Sequence, residues 1–199
     1  MRKYFVYGGL IASTLMIAFG IASISIGLSG RTEVRQDLTR EHIVGTPDMT
    51  PKAITTEAAK AGVHGAPIPS CSVAGLTVNN GARAKCFASY MRIHALEATT
   101  GQTYAQMPMY IGKDGKPTED KTAAAIDPQG KPVQNQARNT WVTETALATA
   151  LNTSFFAEHV ALFSVAMGVM LILVGSGFLV LTLAVLRPHD AVDDHRVSA

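Results

Sequence analysis

The sequence predicts a mainly α-helical membrane protein. The expected architecture is an antiparallel hairpin of two transmembrane helices carrying a small, mostly helical extracytoplasmic domain with a few short strands. Three observations support this. Charged residues make up only 16% of the 199 residues, against roughly 25% in ordinary globular domains. Two runs, residues 4–30 and 160–186, contain no Asp, Glu, Lys, Arg or His, and each exceeds the length of about 18 residues that marks a membrane-spanning helix. The only two cysteines, Cys71 and Cys86, both lie between those runs. This pattern excludes a soluble globular enzyme. A formal net charge of +2 with no basic patch argues against nucleic-acid binding.

The expected order along the chain is a cytoplasmic N-terminus (1–3), a first span (4–30), an extracytoplasmic domain (31–159), a second span (160–186) and a cytoplasmic tail (187–199). The first span follows Met1-Arg2-Lys3. At about 1.5 Å per residue, 25 helical residues reach roughly 37 Å, enough to cross a core of about 30 Å with some tilt. Gly27-Leu28-Ser29 imitates a signal-peptide cleavage site. Signal cores run to only about 7–15 apolar residues, however, so a retained anchor is expected. Phe155, Phe156 and Phe163 stand near the start of the second span, and Arg187-Pro188 closes it. Arg187 marks a water interface, and Pro188 cannot readily continue a helix. The polar tail, with Asp190, Asp193 and Asp194, is expected to be disordered.

Arg2, Lys3 and the terminal amine favour a cytoplasmic N-terminus. Arg31, Arg35 and Arg40 oppose this, but they belong to a long connector, and long loops cross largely regardless of charge. Two spans then return the C-terminus to the cytoplasm.

Small residues recur on both spans. Gly9, Ser13, Met16, Gly20, Ser23, Gly27 and Gly30 alternate by four and three, which puts them on one face of the first helix. Ala161, Gly168, Gly175 and Thr182 repeat every seven on the second. Small faces let backbones approach closely, so these stripes are candidate helix-packing surfaces. The competing explanation is the general abundance of Gly and Ala in membrane helices. Neither span holds an ionisable group that would mark an ion path or an intramembrane active site.

The connector carries 13 Lys or Arg and 12 Asp or Glu and has the size of one small domain. Residues 31–42 look helical, with Val34 and Leu38 as a weak apolar edge, and Gly45-Thr46-Pro47 breaks them. Thr50-Pro51 reads as an N-cap followed by proline at the first helical position, and Gly62 as that helix's stop. Residues 62–69 form a Gly- and Pro-rich loop. A strand over 72–78 is expected next, then a helix over about 82–99 with Ala84, Phe87, Met91 and Leu96 on its apolar face and Gly101 beyond its end. Residues 107–111 and 123–126 suggest short strands, with turns at Asp114-Gly115 and Asp127-Pro128-Gln129-Gly130. A helical pattern with Trp141, Leu147 and Leu151 then leads toward the second span, either continuously or through a break near Asn152-Thr153-Ser154.

A Cys71–Cys86 bridge would close a 15-residue separation, worth about 3 kcal/mol by chain entropy, and oxidised pairs belong outside the cytoplasm. Free thiols and a metal site are the alternatives. Two cysteines without nearby paired histidines are poorly spaced for a metal. The six histidines are scattered, with none paired at helical ligand spacing, so no metal or other cofactor is expected. His159 is expected to be an ordinary interfacial residue, Glu144 a solvated or capping acid, and Trp141 a core residue. Asn152-Thr153-Ser154 matches a glycosylation sequon close to the bilayer. No nucleophile elbow, phosphate loop or dinucleotide fingerprint appears, so no catalytic residues are expected.

Two stretches carry a family resemblance. One is Ile43-Val44-Gly45-Thr46-Pro47-Asp48-Met49-Thr50-Pro51. The other is Arg138-Asn139-Thr140-Trp141-Val142-Thr143-Glu144-Thr145-Ala146-Leu147, followed by Phe156-Ala157-Glu158-His159-Val160-Ala161-Leu162-Phe163. With the two-span layout they resemble a family of uncharacterised actinobacterial membrane proteins, and the resemblance implies a bacterial plasma-membrane location. Members are sometimes labelled aromatic ring-opening dioxygenases. That chemistry needs an iron site, and the sequence displays no facial set of histidines and carboxylates. The functional expectation is a non-enzymatic two-pass protein that binds a membrane or envelope partner or a second copy of itself. The alternative is an envelope sensor or ligand-binding protein.

Overall fold

The computed structural model describes residues 2–184. Met1, residues 185–186 of the second expected span and the expected tail 187–199 lie outside the described residues. Four α-helices dominate: α1 (Arg2–Arg40), α2 (Pro51–Lys60), α3 (Gly81–Ala98) and α4 (Gln136–Ala184). A two-stranded antiparallel sheet, β1 (Tyr110–Ile111) and β2 (Pro117–Thr118), completes them. The chain divides into two compact units. One contains residues 1–30 and 160–199, and the other is Arg31–His159.

In the first unit α1 and α4 pack through their small residues. Ser13, Gly20 and Gly27 are buried on α1, as are Ala161, Gly168, Gly175 and Thr182 on α4. The remaining faces are apolar and open: Phe5 is 68% exposed, Phe19 66%, Phe163 65% and Leu173 62%. Both helices are long and apolar enough to cross a membrane, by length and composition. Each runs beyond its charge-free stretch. α1 continues to Arg40, and α4 is unbroken through Asn152-Thr153-Ser154, where side-chain hydroxyls of Thr153 and Ser154 bond carbonyls one turn back instead of interrupting the helix.

In the second unit the predicted N-cap of α2 is in place, and α3 carries one that was not foreseen. Thr50 Oγ1 accepts from the Ala53 N–H at 3.2 Å, ahead of Pro51. Asn80 Oδ1 accepts from the Arg83 N–H at 3.0 Å at the head of α3. Gly62 and Gly101 follow α2 and α3 with φ of 70° and 77°, a conformation that favours glycine at a helix end. One apolar cluster joins Met49, Ile54, Ala58, Val73, Tyr90 and Ile93 between α2 and α3. A second joins Leu38, Val78, Ala84, Ala88, Ala148 and Leu151.

The strand expected over 72–78 is not one. Its backbone makes only isolated bridges, Gly45 with Ala74 and Val44 with Thr77, because a turn at Gly75, with φ of 67° and the Leu76 N–H bonded to the Val73 carbonyl at 2.9 Å, interrupts the segment. Gly45 lies so close to the Val73 carbonyl that a Cβ there would collide with it. The strand expected over 107–111 shrinks to Tyr110–Ile111, and its ladder partner is Pro117–Thr118. Residues 123–126 contribute only bridges, from Ala124 to Gly112 and from Ile126 to Pro132. The two turns stand where expected, with Gly115 and Gly130 at φ of 77° and 79°.

Candidate functional site

Each expected packing residue has a definable place in the first unit. A Cβ on Gly20 would lie 2.7 Å from the Gly168 carbonyl oxygen, and one on Gly168 would lie 2.6 Å from the Gly20 carbonyl oxygen. Gly27 meets the Ala161 carbonyl in the same way, and Gly175 meets the Ser13 carbonyl and the Met16 side chain. Gly9 sits against the Thr182 hydroxyl. Ser23 donates to the Ser164 carbonyl at 3.0 Å. The contacts fall in antiparallel order, rising along α1 as they fall along α4. Glycine is required here by close approach: main chains meet where a methyl group has no room. Gly8 and Gly177, off the seam, have open space around them.

Cys71 and Cys86 are joined, with Cα atoms 6.1 Å apart. The bridge ties the loop before the Val73 segment to the first turns of α3. Tyr90, one turn further on, is buried and donates its hydroxyl to the Cys71 carbonyl at 2.6 Å.

Three charged arrangements in the second unit were not foreseen. The first centres on Glu158, whose side chain is only 7% exposed. Its Oε1 accepts from Arg31 Nε at 3.0 Å and Arg35 Nε at 2.9 Å, and its Oε2 accepts from the Gly81 N–H at 2.6 Å. The carboxylate therefore occupies the first turn of α3, where unpaired N–H groups favour a negative charge. Burial pushes its pKa up. The Gly81 N–H and the two guanidinium groups outweigh that and hold it below its ordinary value.

The second corrects the expectation for Glu144. It is buried, not solvated, at 5% exposure. Arg92 Nε lies 3.3 Å from Glu144 Oε1, as an ion pair without hydrogen-bond geometry. The Arg92 guanidinium also covers the Trp141 ring at 4.6 Å, so Trp141 is a half-buried partner of a cation. Burial raises the Glu144 pKa against the opposing pull of Arg92. Glu144 borders an open cleft of about 510 Å³ shared with His94, Gln136, Asn139, Thr143 and Leu147. His159 stays exposed, bonded to the Phe155 carbonyl at 2.9 Å.

The third gathers side chains from three segments. Asp48 comes from the turn before α2, Glu57 from α2 and His94 from α3, and their ligand-capable atoms all lie within 4.8 Å of one another. All three are half-buried. His94 Nε2 and Asp48 Oδ2 are 2.7 Å apart. Glu97, one turn after His94, feels the charges of His94, Glu57 and Asp48. Its Oε1 is buried without a hydrogen-bond partner, and burial pushes its pKa up. Local spacing gave no sign of this group, since its members are 9 and 37 positions apart along the chain.

No known protein family, curated protein or solved structure matches the chain.

Proposed function

We propose that the chain is a two-pass plasma-membrane protein whose connecting unit faces away from the cytoplasm. On this reading it has no catalytic activity of its own and serves as a partner-binding subunit of a membrane or envelope assembly. The observation that carries the reading is the pair of long apolar helices buried over only 11% and 17% of their most apolar windows. A core helix of a soluble protein would be largely covered. Here the rings of Phe5, Phe19 and Phe163 have only surroundings to meet, and a bilayer supplies an apolar one. The small-residue seam supports a tight hairpin inside it. The disulfide supports an oxidising side for the connecting unit.

Thiol labelling in intact cells tests the orientation. An impermeant maleimide is expected to label the chain only after reduction. Labelling that requires permeabilisation and needs no reductant would invert the topology, and labelling of intact cells without reductant would refute the bridge while keeping the topology. Extraction in mild detergent tests the role, and a copurifying partner or second copy is expected. A clean monomer under several conditions overturns it.

The cleft beside Glu144 favours a second reading, an envelope ligand-binding protein. The two are separated by Thr143→Trp, which fills the cleft mouth. It abolishes ligand binding if the cleft is the site and leaves partner copurification intact if it is not.

A further inference from the structure

We propose that Asp48, Glu57 and His94, with Glu97 one turn further along α3, bind a first-row divalent cation such as Zn²⁺ or Mn²⁺. The proposal stands apart from the membrane reading, because every residue involved belongs to the connecting unit.

Geometry is the first argument. Ligand atoms around a four-coordinate cation sit about 2.0–2.2 Å from it and so about 3.4 Å from one another. The three ligand atoms already lie within 4.8 Å of one another, and rotamer adjustment of side chains that are only half-buried closes the remaining distance. They come from three different segments of the chain. A cation would therefore staple the turn before α2, α2 itself and α3, on the same apolar cluster that Cys86 joins.

Charge is the second. Asp48 and Glu57 converge on a single imidazole, Glu97 lies within electrostatic reach of all three, and among the described residues none of the carboxylates forms an ion pair with a lysine or arginine. Like charges at this spacing repel, and a dication offsets them.

The third is independent of the cluster's spacing. Glu97 Oε1 is buried and accepts no hydrogen bond, a condition native structures rarely leave uncompensated. Residues 94 and 97 lie on one face of α3; Glu97 stands outside the group whose atoms fall within 4.8 Å of one another, so a change of rotamer would bring its carboxylate to the ion as a fourth ligand. The donor set of one imidazole nitrogen and carboxylate oxygens fits Zn²⁺ or Mn²⁺. An all-oxygen shell would have favoured Ca²⁺ or Mg²⁺.

The test uses the full chain in detergent micelles, without a histidine tag, stripped by a chelator and then titrated with Zn²⁺, Mn²⁺ or Ca²⁺. One Zn²⁺ or Mn²⁺ per chain is expected to survive desalting and to raise the unfolding temperature, with Ca²⁺ ineffective. Removing even an outer partner of a metal ligand weakens binding 10–100-fold, so losing a ligand costs about tenfold or more. Glu57→Gln is the decisive variant, since among the described residues the Glu57 side chain makes no hydrogen bond or ion pair, and the substitution leaves its backbone bond to Ala61 in place. It is expected to match the parent's metal-free unfolding temperature while losing the metal-dependent rise. His94→Gln is expected to lose the rise as well. The proposal is overturned if the parent retains no metal, or if Glu57→Gln binds as tightly as the parent, which would leave Asp48 and His94 as an ordinary ion pair.

Discussion

Glu158 shows how much one side chain can decide. It is buried, it carries a charge, and it spends that charge on one backbone N–H and two guanidinium groups. Arg31 and Arg35 are 38% and 44% exposed, so solvent screens much of their attraction. The Gly81 N–H at the buried head of α3 is the partner that cannot be replaced by water. Glu158→Ala is therefore expected to destabilise the connecting unit by about 1–3 kcal/mol, mainly through that orphaned donor, as measured by thermal or denaturant unfolding. The carboxyl's pKa is held below its ordinary 4.5 in the folded chain. Its stabilising contribution is complete above about pH 4.5 and lost as pH falls through the lowered value. Stability plotted against pH should show an acid-side decline that Glu158→Gln flattens. If that decline is unchanged in the variant, other carboxylates are responsible. Little of this was legible in the sequence. Glu158 sits beside the charge-free run with nothing local to mark its role, because its partners lie 77, 123 and 127 positions away. Glu144 was misjudged for the same reason, since its burial depends on Arg92 from another helix.

At the scale of elements, local chemistry was far easier to read. Thr50-Pro51 and the glycines after α2 and α3 are signals whose physics is complete within four or five residues. The cap and stops appeared where those signals stood. The apolar runs were equally plain, and so were the turns at Gly115 and Gly130. Strands failed, because a ladder needs a partner and no single segment reveals one. Residues 72–78 suggested a strand by composition, yet Gly75 at φ of 67° turns the segment on itself and only two isolated bridges form. The stripes on α1 and α4 gave a partial answer: periodicity identified the small faces, and only the fold pairs residue with residue. Two nearby glycines now make that pairing testable. Gly175 faces Ser13 and Met16, with no room for a methyl group, whereas Gly177 has nothing within 4 Å. Gly175→Leu is expected to break the α1–α4 packing, and Gly177→Leu to be silent. Disulfide cross-linking between cysteines placed at Ser23 and Ser164, in a chain whose own cysteines are replaced by serine, would report it. Equal cross-linking in the two glycine variants would show that the seam does not hold the helices together.

Across the whole molecule, charge is sorted with little exception. Of 17 basic and 15 acidic residues, 13 and 12 lie in residues 31–159, and the others occupy only 1–3 and 187–199. A single Lys, Arg or Asp at a bilayer centre costs about 2.5–3.5 kcal/mol on insertion scales, so two such runs free of charge fit selection by lipid and are hard to explain by a soluble core. The same sorting makes the topology open to a direct test. Lys113 and Lys121 are exposed on either side of the Gly115 turn, within the unit proposed to face outward, whereas the Lys116–Pro117 bond resists trypsin. Trypsin added to cells stripped of their wall should cut there. The products would be two fragments, each retaining one apolar helix and each resisting alkaline extraction from the membrane. The Cys71–Cys86 bridge lies wholly on the N-terminal side of those sites, so reduction should not change the fragment pattern. A chain that trypsin spares in such cells but cuts in inverted vesicles would have its connecting unit in the cytoplasm. Its disulfide would then sit in a compartment that keeps thiols reduced, and the outward-facing assignment would fail on both counts at once.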